Sequence, residues 1–200
     1  MPVSYERFVR SQLSAEEASE LDIVNHLAER LLAYLEQSAA EIDTVHIHGA
    51  SSAVVQTLVS RLLTRELGFR EERLIPSEIG FSTRARPDFV YSIEPGRGIL
   101  AEVERGGTTT NNHDLKDMWK AHIAPNAQHL FLIVPHANWN AAGRAREHPF
   151  HRVVGRIRSF FGDPRREVDV VSAHVFGYGS EILLHPRADE DLRHAGRGEA

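Results

Sequence analysis

Cysteine is absent from the 200 residues, which excludes disulfides and thiolate metal sites but leaves the cellular compartment open. No apolar run reaches the ~18 residues that a membrane span needs. The polar opening Met-Pro-Val-Ser-Tyr-Glu-Arg lacks the apolar stretch of a secretory signal, so a cytoplasmic location is expected. Lysine is scarce: of 23 basic residues only Lys116 and Lys120 are lysines, which leaves few candidates for a lysine-dependent step. A formal charge of -5 gives no global attraction to nucleic acid, so such a partner requires a local basic patch. Internal repeats and dividing linkers are also missing.

A hydrophobic fraction of 42% suits a globular chain, and the length suits one domain with a modest elaboration. The local basic patch exists, because Arg144 to Arg166 holds seven arginines against Glu147 and Asp163.

The most informative stretch is Pro87 to Lys120. Two β-branched and aromatic runs, 87–93 and 99–105, flank Glu94-Pro95-Gly96-Arg97-Gly98 and predict a β-hairpin. A five-residue loop pairs Ile93 with Ile99, Tyr91 with Ala101, Phe89 with Val103 and Asp88 with Glu104. Phe89, Tyr91, Ile93, Ile99, Ala101 and Val103 then share one face. The other face carries Asp88, Val90, Ser92, Leu100, Glu102 and Glu104. A one-residue slip would set the aromatics among the carboxylates. Three neighbouring anions repel, and at least one pKa rises unless a cation joins them. A hard divalent ion is one remedy; a solvated face with Arg84, Arg86 and Arg105 as counter-ions is the other.

Elsewhere, Ser14 to Glu17 predicts a capping box for a helix to about Gln37, with Leu21, Val24, Leu27, Leu31 and Leu35 inward. Asp43 to His48 alternates as a short strand, and Gly49-Ala50-Ser51-Ser52 leads into a helix to about Leu67. Ser51 there reads either as a degraded nucleophile elbow of a serine hydrolase or as a helix cap. His46 and His48 share an expected strand face, which reads either as an exposed face or as a zinc pair without a third ligand. Leu74 to Phe81 is a further expected strand. Glu66 and Glu78 are candidate extra carboxylates or ordinary surface charges.

The helix after Gly106-Gly107 is expected to bury Leu115, Met118, Trp119, His122 and Ile123. Asn112, Lys116 and Lys120 then lie on the opposite side, facing either a cleft or solvent. His129 to Pro135 reads as a central strand buried on both faces. Asn138 to Arg146 reads as a polar loop in which Trp139 either stacks or anchors. His148 to Phe161 is an amphipathic helix with Arg152 and Arg156 outward. Glu167 to Tyr178 returns as a strand, with a possible edge strand near 182–184.

Pro87-Asp88, followed after thirteen residues by Glu102-Val103-Glu104, in the order helix, strand, Asp strand, Glu-x-Glu strand, helix, strand, resembles the PD-(D/E)XK nuclease superfamily. Glu104 stands where lysine is usual, as in the variant of BamHI-type restriction enzymes. The resemblance implies an α/β, restriction-endonuclease-like three-layer core with a central mixed β-sheet flanked by helices, over residues 51–185. Residues 1–50 would add a helix and short strand packing on the core or on a dimer partner, and 186–200 a polar tail. It implies Mg²⁺ (or Mn²⁺) held by Asp88, Glu102 and the Val103 carbonyl, with Glu104 acting on the attacking water. Lys116 or Lys120 would supply the cation missing at Glu104. Arg84, Arg86, Arg105, Arg152 and Arg156 would contact phosphates of DNA, and cutting both strands would call for a homodimer. The implied activity is a metal-dependent endonuclease of restriction, defence or repair. The alternative is an inactive nuclease-like scaffold that binds nucleic acid or assembles with partners.

Overall fold

A computed structural model describes residues 3–46, 52–71, 86–104, 108–140, 142–165 and 167–181. The elements are β1 (Ser4–Val9), α1 (Ala15–Gln37), α2 (Ala39–Val45), α3 (Ser52–Arg65), β2 (Arg70–Glu71), β3 (Phe89–Glu94) and β4 (Arg97–Val103). They continue with α4 (His113–Ile123), β5 (His129–Pro135), β6 (Asn138–Trp139), β7 (Ala145–Glu147), α5 (Pro149–Arg158) and β8 (Ser172–Tyr178). Six strands form one sheet in the order β1-β8-β5-β4-β3-β2. The β4–β5 and β5–β8 pairs are parallel and the others antiparallel. Helices cover both faces, so the chain is a three-layer α/β/α structure, as expected. Among the described residues no helix is long and apolar enough to cross a membrane.

The layers follow from strand alternation. Ile99, Ala101, Val103, Phe131 and Ile133 project towards α1, α2 and α3. Leu100, Leu130, Leu132 and Val134 project the other way, to α4 and α5. Every residue of β5 is buried, which explains its unbroken apolar run. The capping box of α1 forms as predicted: the Glu17 N–H donates to Ser14 Oγ at 3.1 Å and the Ser14 N–H to Glu17 Oε2 at 2.8 Å.

The hairpin register differs from the expected one. Phe89 pairs with Ala101, Val90 with Leu100 and Tyr91 with Ile99, two residues away from the predicted pairing. The tight turn is Pro95-Gly96, with Gly96 at φ 82°, so the connection is shorter than five residues. An irregularity at Ser92/Glu94 absorbs the difference. Because the slip is even, each side chain keeps its predicted face. Gly98 lies so close to the neighbouring chain that a Cβ would stand 2.3 Å from the Tyr91 carbonyl oxygen and 2.9 Å from that of Asn126. Gly98→Ala is therefore expected to cost about 2–3 kcal/mol in a urea melt; an unchanged midpoint would refute this packing.

Three further expectations are corrected. Residues 43–45 belong to α2 rather than to a strand, because Ile42 packs into the helical layer. That removes the strand an elbow at Ser51 would need, and Ser51 itself lies outside the described residues, as does His48. His46 is not on an exposed strand face: it is buried, with Nε2 2.7 Å from the Ala137 carbonyl. Asn138–Trp139 and Ala145–Glu147 pair as the two-stranded ribbon β6–β7 where a loop was expected, and Trp139 is its buried anchor, not an exposed stacking surface. The opening segment contributes β1, which was not anticipated, because a partly exposed edge strand carries mixed polarity. The expected strands at 74–81 and 182–184 and the tail at 186–200 lie outside the described residues.

A polar chain crosses the apolar layer beneath α1. Arg97 holds both oxygens of Glu20, and Glu20 Oε2 lies 3.3 Å from His129 Nε2. His129 Nδ1 meets Ser172 Oγ at 2.8 Å, Ser172 Oγ meets His174 Nε2 at 3.0 Å, and His174 Nδ1 meets Tyr5 Oη at 2.8 Å. Full mutual hydrogen bonding is what permits such groups to be buried.

Candidate active site

The ends of β3, β4 and α4 bring acidic groups together. The Asp88 N–H donates to Glu102 Oε2 at 3.1 Å, and the Val103 N–H donates to Asp88 Oδ2 at 2.9 Å. The two carboxylates are thus locked side by side at the start of β3 and the end of β4. Glu102 is buried on the α4 side of the sheet, where Lys120 Nζ donates to its Oε1 at 2.9 Å. The same ammonium lies 2.8 Å from Oδ1 of buried Asp117, one turn earlier on α4. Oδ2 of Asp117 is also buried and has no hydrogen-bond partner among the described residues.

The electrostatics follow from burial and an excess of anions. Burial, then the Asp117 charge, pushes Glu102 up to about 8, against the opposing pull of Lys120. Burial likewise raises Asp117 to about 7, with Lys120 opposing and Glu104 and Asp88 adding to the rise. Burial alone would lower the Lys120 pKa, but Asp117 and Glu102 outweigh it and raise it. Among the described residues, the Lys120 ammonium is shared by Glu102 and Asp117.

Glu104 sits just past β4. Its N–H reaches the Ile133 carbonyl at 2.8 Å, and its own carbonyl accepts from Tyr178 Oη at 2.8 Å. Its carboxylate lies 3.0 Å from Nδ1 of His113, the first residue of α4. The start of α4 is in turn fixed by Arg156, whose Nη1 lies 2.9 Å from Oδ1 of fully buried Asp114 and 3.2 Å from Asn112 Oδ1.

Of the residues singled out in the sequence, the structure brings together Asp88, Glu102, Val103 and Lys120, with Glu104 beside them. Lys116 is exposed on α4 and makes no contact with the acids. Arg156 is engaged by Asp114 and is a tie between helices rather than an outward phosphate contact. Arg152 is exposed on α5 and Arg86 is exposed just before β3. Arg84, Arg105 and Glu78 lie outside the described residues, and Glu66 is a surface residue after α3.

Sequence reasoning missed Asp117 and His113 because α4 is turned by roughly one residue, ~100°. Its buried face is Asp114, Asp117, Met118 and Ala121, while Trp119 is 45% exposed and His122 is exposed. The signal was the acid-base spacing Asp117/Lys120 at i, i+3, which lets an ion pair enter the interior with the helix.

The oxygen-rich donor set fits a hard divalent cation. Mg²⁺ binds through one or two carboxylates and otherwise water, so Asp88 and Glu102 suffice without an all-protein cage. Among the described residues no group of three or more histidine or carboxylate side chains is placed to hold a metal ion. The orphaned Asp117 oxygen fits an acid cluster able to take up a further cation.

No protein-family model and no curated protein matches the sequence. Among solved structures, the chain is similar to the restriction endonuclease BglII complexed with a DNA 16-mer, at 13% identity and a TM-score of 0.48. That match covers 94% of this chain and 80% of the other.

Proposed function

We propose that this chain is a metal-dependent phosphodiester hydrolase of the PD-(D/E)XK kind, acting as an endonuclease on DNA. The observation that carries the reading is Lys120: a lysine from α4 reaches Glu102 at 2.9 Å. It supplies the positive charge for which the β4 position held by Glu104 offers a carboxylate instead. Asp88, Glu102 and the Val103 carbonyl would hold Mg²⁺ or Mn²⁺. When bound, the ion supplies a polarised water and a counter-charge for the phosphate.

The protein's own groups then have distinct tasks. Lys120 stabilises the extra negative charge on the phosphorus-bound oxygens in the transition state. Glu104, oriented by His113, takes the proton from the attacking water. Asp117 keeps Lys120 charged and aimed. Arg86 and Arg152, both exposed, suit contacts that position a phosphate backbone. Cutting both strands of a duplex would require two copies of the site, hence a homodimer.

Incubating the protein with plasmid and single-stranded DNA, with Mg²⁺ or with EDTA, tests this directly. Metal-dependent nicking is expected, and Asp88→Asn should reduce it by roughly a hundredfold or more while leaving the melting temperature near that of the parent. No cutting of any nucleic acid by the folded protein would refute the enzyme reading.

One observation favours a second reading, an inactive nuclease-like scaffold. Both Glu102 oxygens already have partners, in Lys120 and the Asp88 N–H. Titration calorimetry with Mn²⁺ separates the two: binding heat that vanishes in Asp88→Ala supports the enzyme, and none at all supports the scaffold.

A further inference from the structure

We infer that the β6–β7 ribbon is a docking arm for duplex DNA, with Arg144 and Arg146 as its phosphate contacts. The chain enters it from the end of β5, and Val103 at the end of β4 pairs with Ile133 of that strand. The ribbon therefore rises from the same edge of the sheet as Glu102 and Glu104.

Its two sides differ in chemistry. Glu147 faces the body, where its carboxylate accepts from Asn138 Nδ2 at 2.7 Å, Thr109 Oγ1 at 3.2 Å and Thr110 Oγ1 at 3.5 Å. Those threonines belong to the segment between Glu104 and α4, so the ribbon is fastened to the wall of the acidic cluster. Arg144 lies in the turn before β7, and Arg146 lies at the register shift between the pairs Asn138/Glu147 and Trp139/Ala145. Both are exposed, and neither guanidinium meets a carboxylate among the described residues.

Hydrogen bonds with Asn140 hold the chain beside Arg144. Asn140 Oδ1 accepts from the N–H groups of Ala142 at 2.9 Å and Arg144 at 3.0 Å, and Gly143 turns the chain at φ 70°. A two-stranded ribbon carrying an exposed pair of cations fits the wide major groove of B-form DNA. It does not fit the narrow groove of A-form RNA, and it gains nothing from a flexible single strand. Contacts of this type set position and not sequence. In a chain of net charge -5, they supply the local attraction that composition does not. The inference rests on the nuclease reading for its choice of ligand, but its test requires no catalysis.

The test is fluorescence anisotropy of a short labelled B-form duplex with the full chain in EDTA, over a series of salt concentrations. Arg144→Ala/Arg146→Ala should weaken binding by roughly tenfold or more and reduce the slope of log K against log salt by about 2. Arg144→Lys/Arg146→Lys should restore the slope. The charge-matched control Arg61→Ala/Arg65→Ala, on the exposed side of α3, should change affinity less than about threefold. The inference is overturned if the ribbon variant binds like the parent, if the control loses as much, or if the parent binds no duplex. Single-stranded DNA or double-stranded RNA bound as tightly as the duplex would also overturn it. Ribbon-dependent binding without Mg²⁺-dependent cutting would refute the nuclease proposal and leave the arm standing. Cutting with binding unchanged in the ribbon variant would do the reverse.

Discussion

Lys120→Met is expected to slow Mg²⁺-dependent cleavage by roughly a hundredfold to a thousandfold and to destabilise the fold by about 3 kcal/mol near pH 8. One ammonium is shared by Glu102 at 2.9 Å and Asp117 at 2.8 Å, both carboxylates being almost fully buried. Removing it leaves buried anions with no counter-charge. The loss carries a pH signature whose sign is fixed. The two carboxyls sit at about 8 and about 7 with the lysine present, and without it they rise further. The folded variant then binds protons that the unfolded chain, with carboxyls near their ordinary values, has released. Its stability falls as pH rises through the window between the unfolded and folded pKa values. Urea melts should therefore show the largest deficit above about pH 8 and a shrinking one towards about pH 5. A deficit independent of pH would mean that Lys120 does not neutralise this pair. Adding Asp117→Asn to the variant should recover part of the stability and none of the cleavage, which separates the structural and chemical roles.

Acidification from about pH 6.5 to about pH 4 should remove several kcal/mol of stability through the two buried histidines. Burial lowers His129 to about 4 and His174 to about 3, with the mutual repulsion of the two rings adding to the latter. The unfolded chain takes up protons on these imidazoles from about pH 6.5 downward. The folded chain resists until about 4 and 3. The unfolded state binds more protons in that window, so stability declines as pH falls; His129 alone accounts for about 3 kcal/mol. His174→Gln keeps hydrogen-bonding capacity towards Ser172 and Tyr5 but removes one titrating ring. It should flatten the dependence of the urea midpoint on pH between these limits. A profile as steep as the parent's would show that this ring does not contribute.

The hairpin was legible because burial constrains parity more tightly than register. Phe89 and Tyr91 had to face the core, which set Asp88 and Glu102 on the same opposite face whichever even pairing the turn produced. The turn itself was misjudged, since Gly98 entered the strand instead of the loop. On α4, hydrophobicity pointed to Leu115, Trp119 and His122 as the inward side. Arg156 and Lys120 make burial of Asp114 and Asp117 feasible, and no single-residue scale anticipates a charge whose partner arrives from elsewhere in the chain. The buried histidines were hidden for the same reason: His129 and His174 are tolerated through Ser172, Tyr5 and Glu20, which lie far apart in sequence. Mixed polarity concealed β1, because an edge strand with one wetted side carries too weak an alternation over six residues.

The antiparallel pairing of Ser4–Val9 with Ser172–Tyr178 has a consequence for how the polypeptide is made. β1 finds its partner only when β8, about 160 residues later, has emerged, so this pair cannot form while the segment between them is being made. Until then the edge beside β5 is uncovered, apolar from Leu130 to Pro135, the type of edge that recruits other chains. Premature termination before residue 172 should thus yield aggregates rather than a smaller soluble fold.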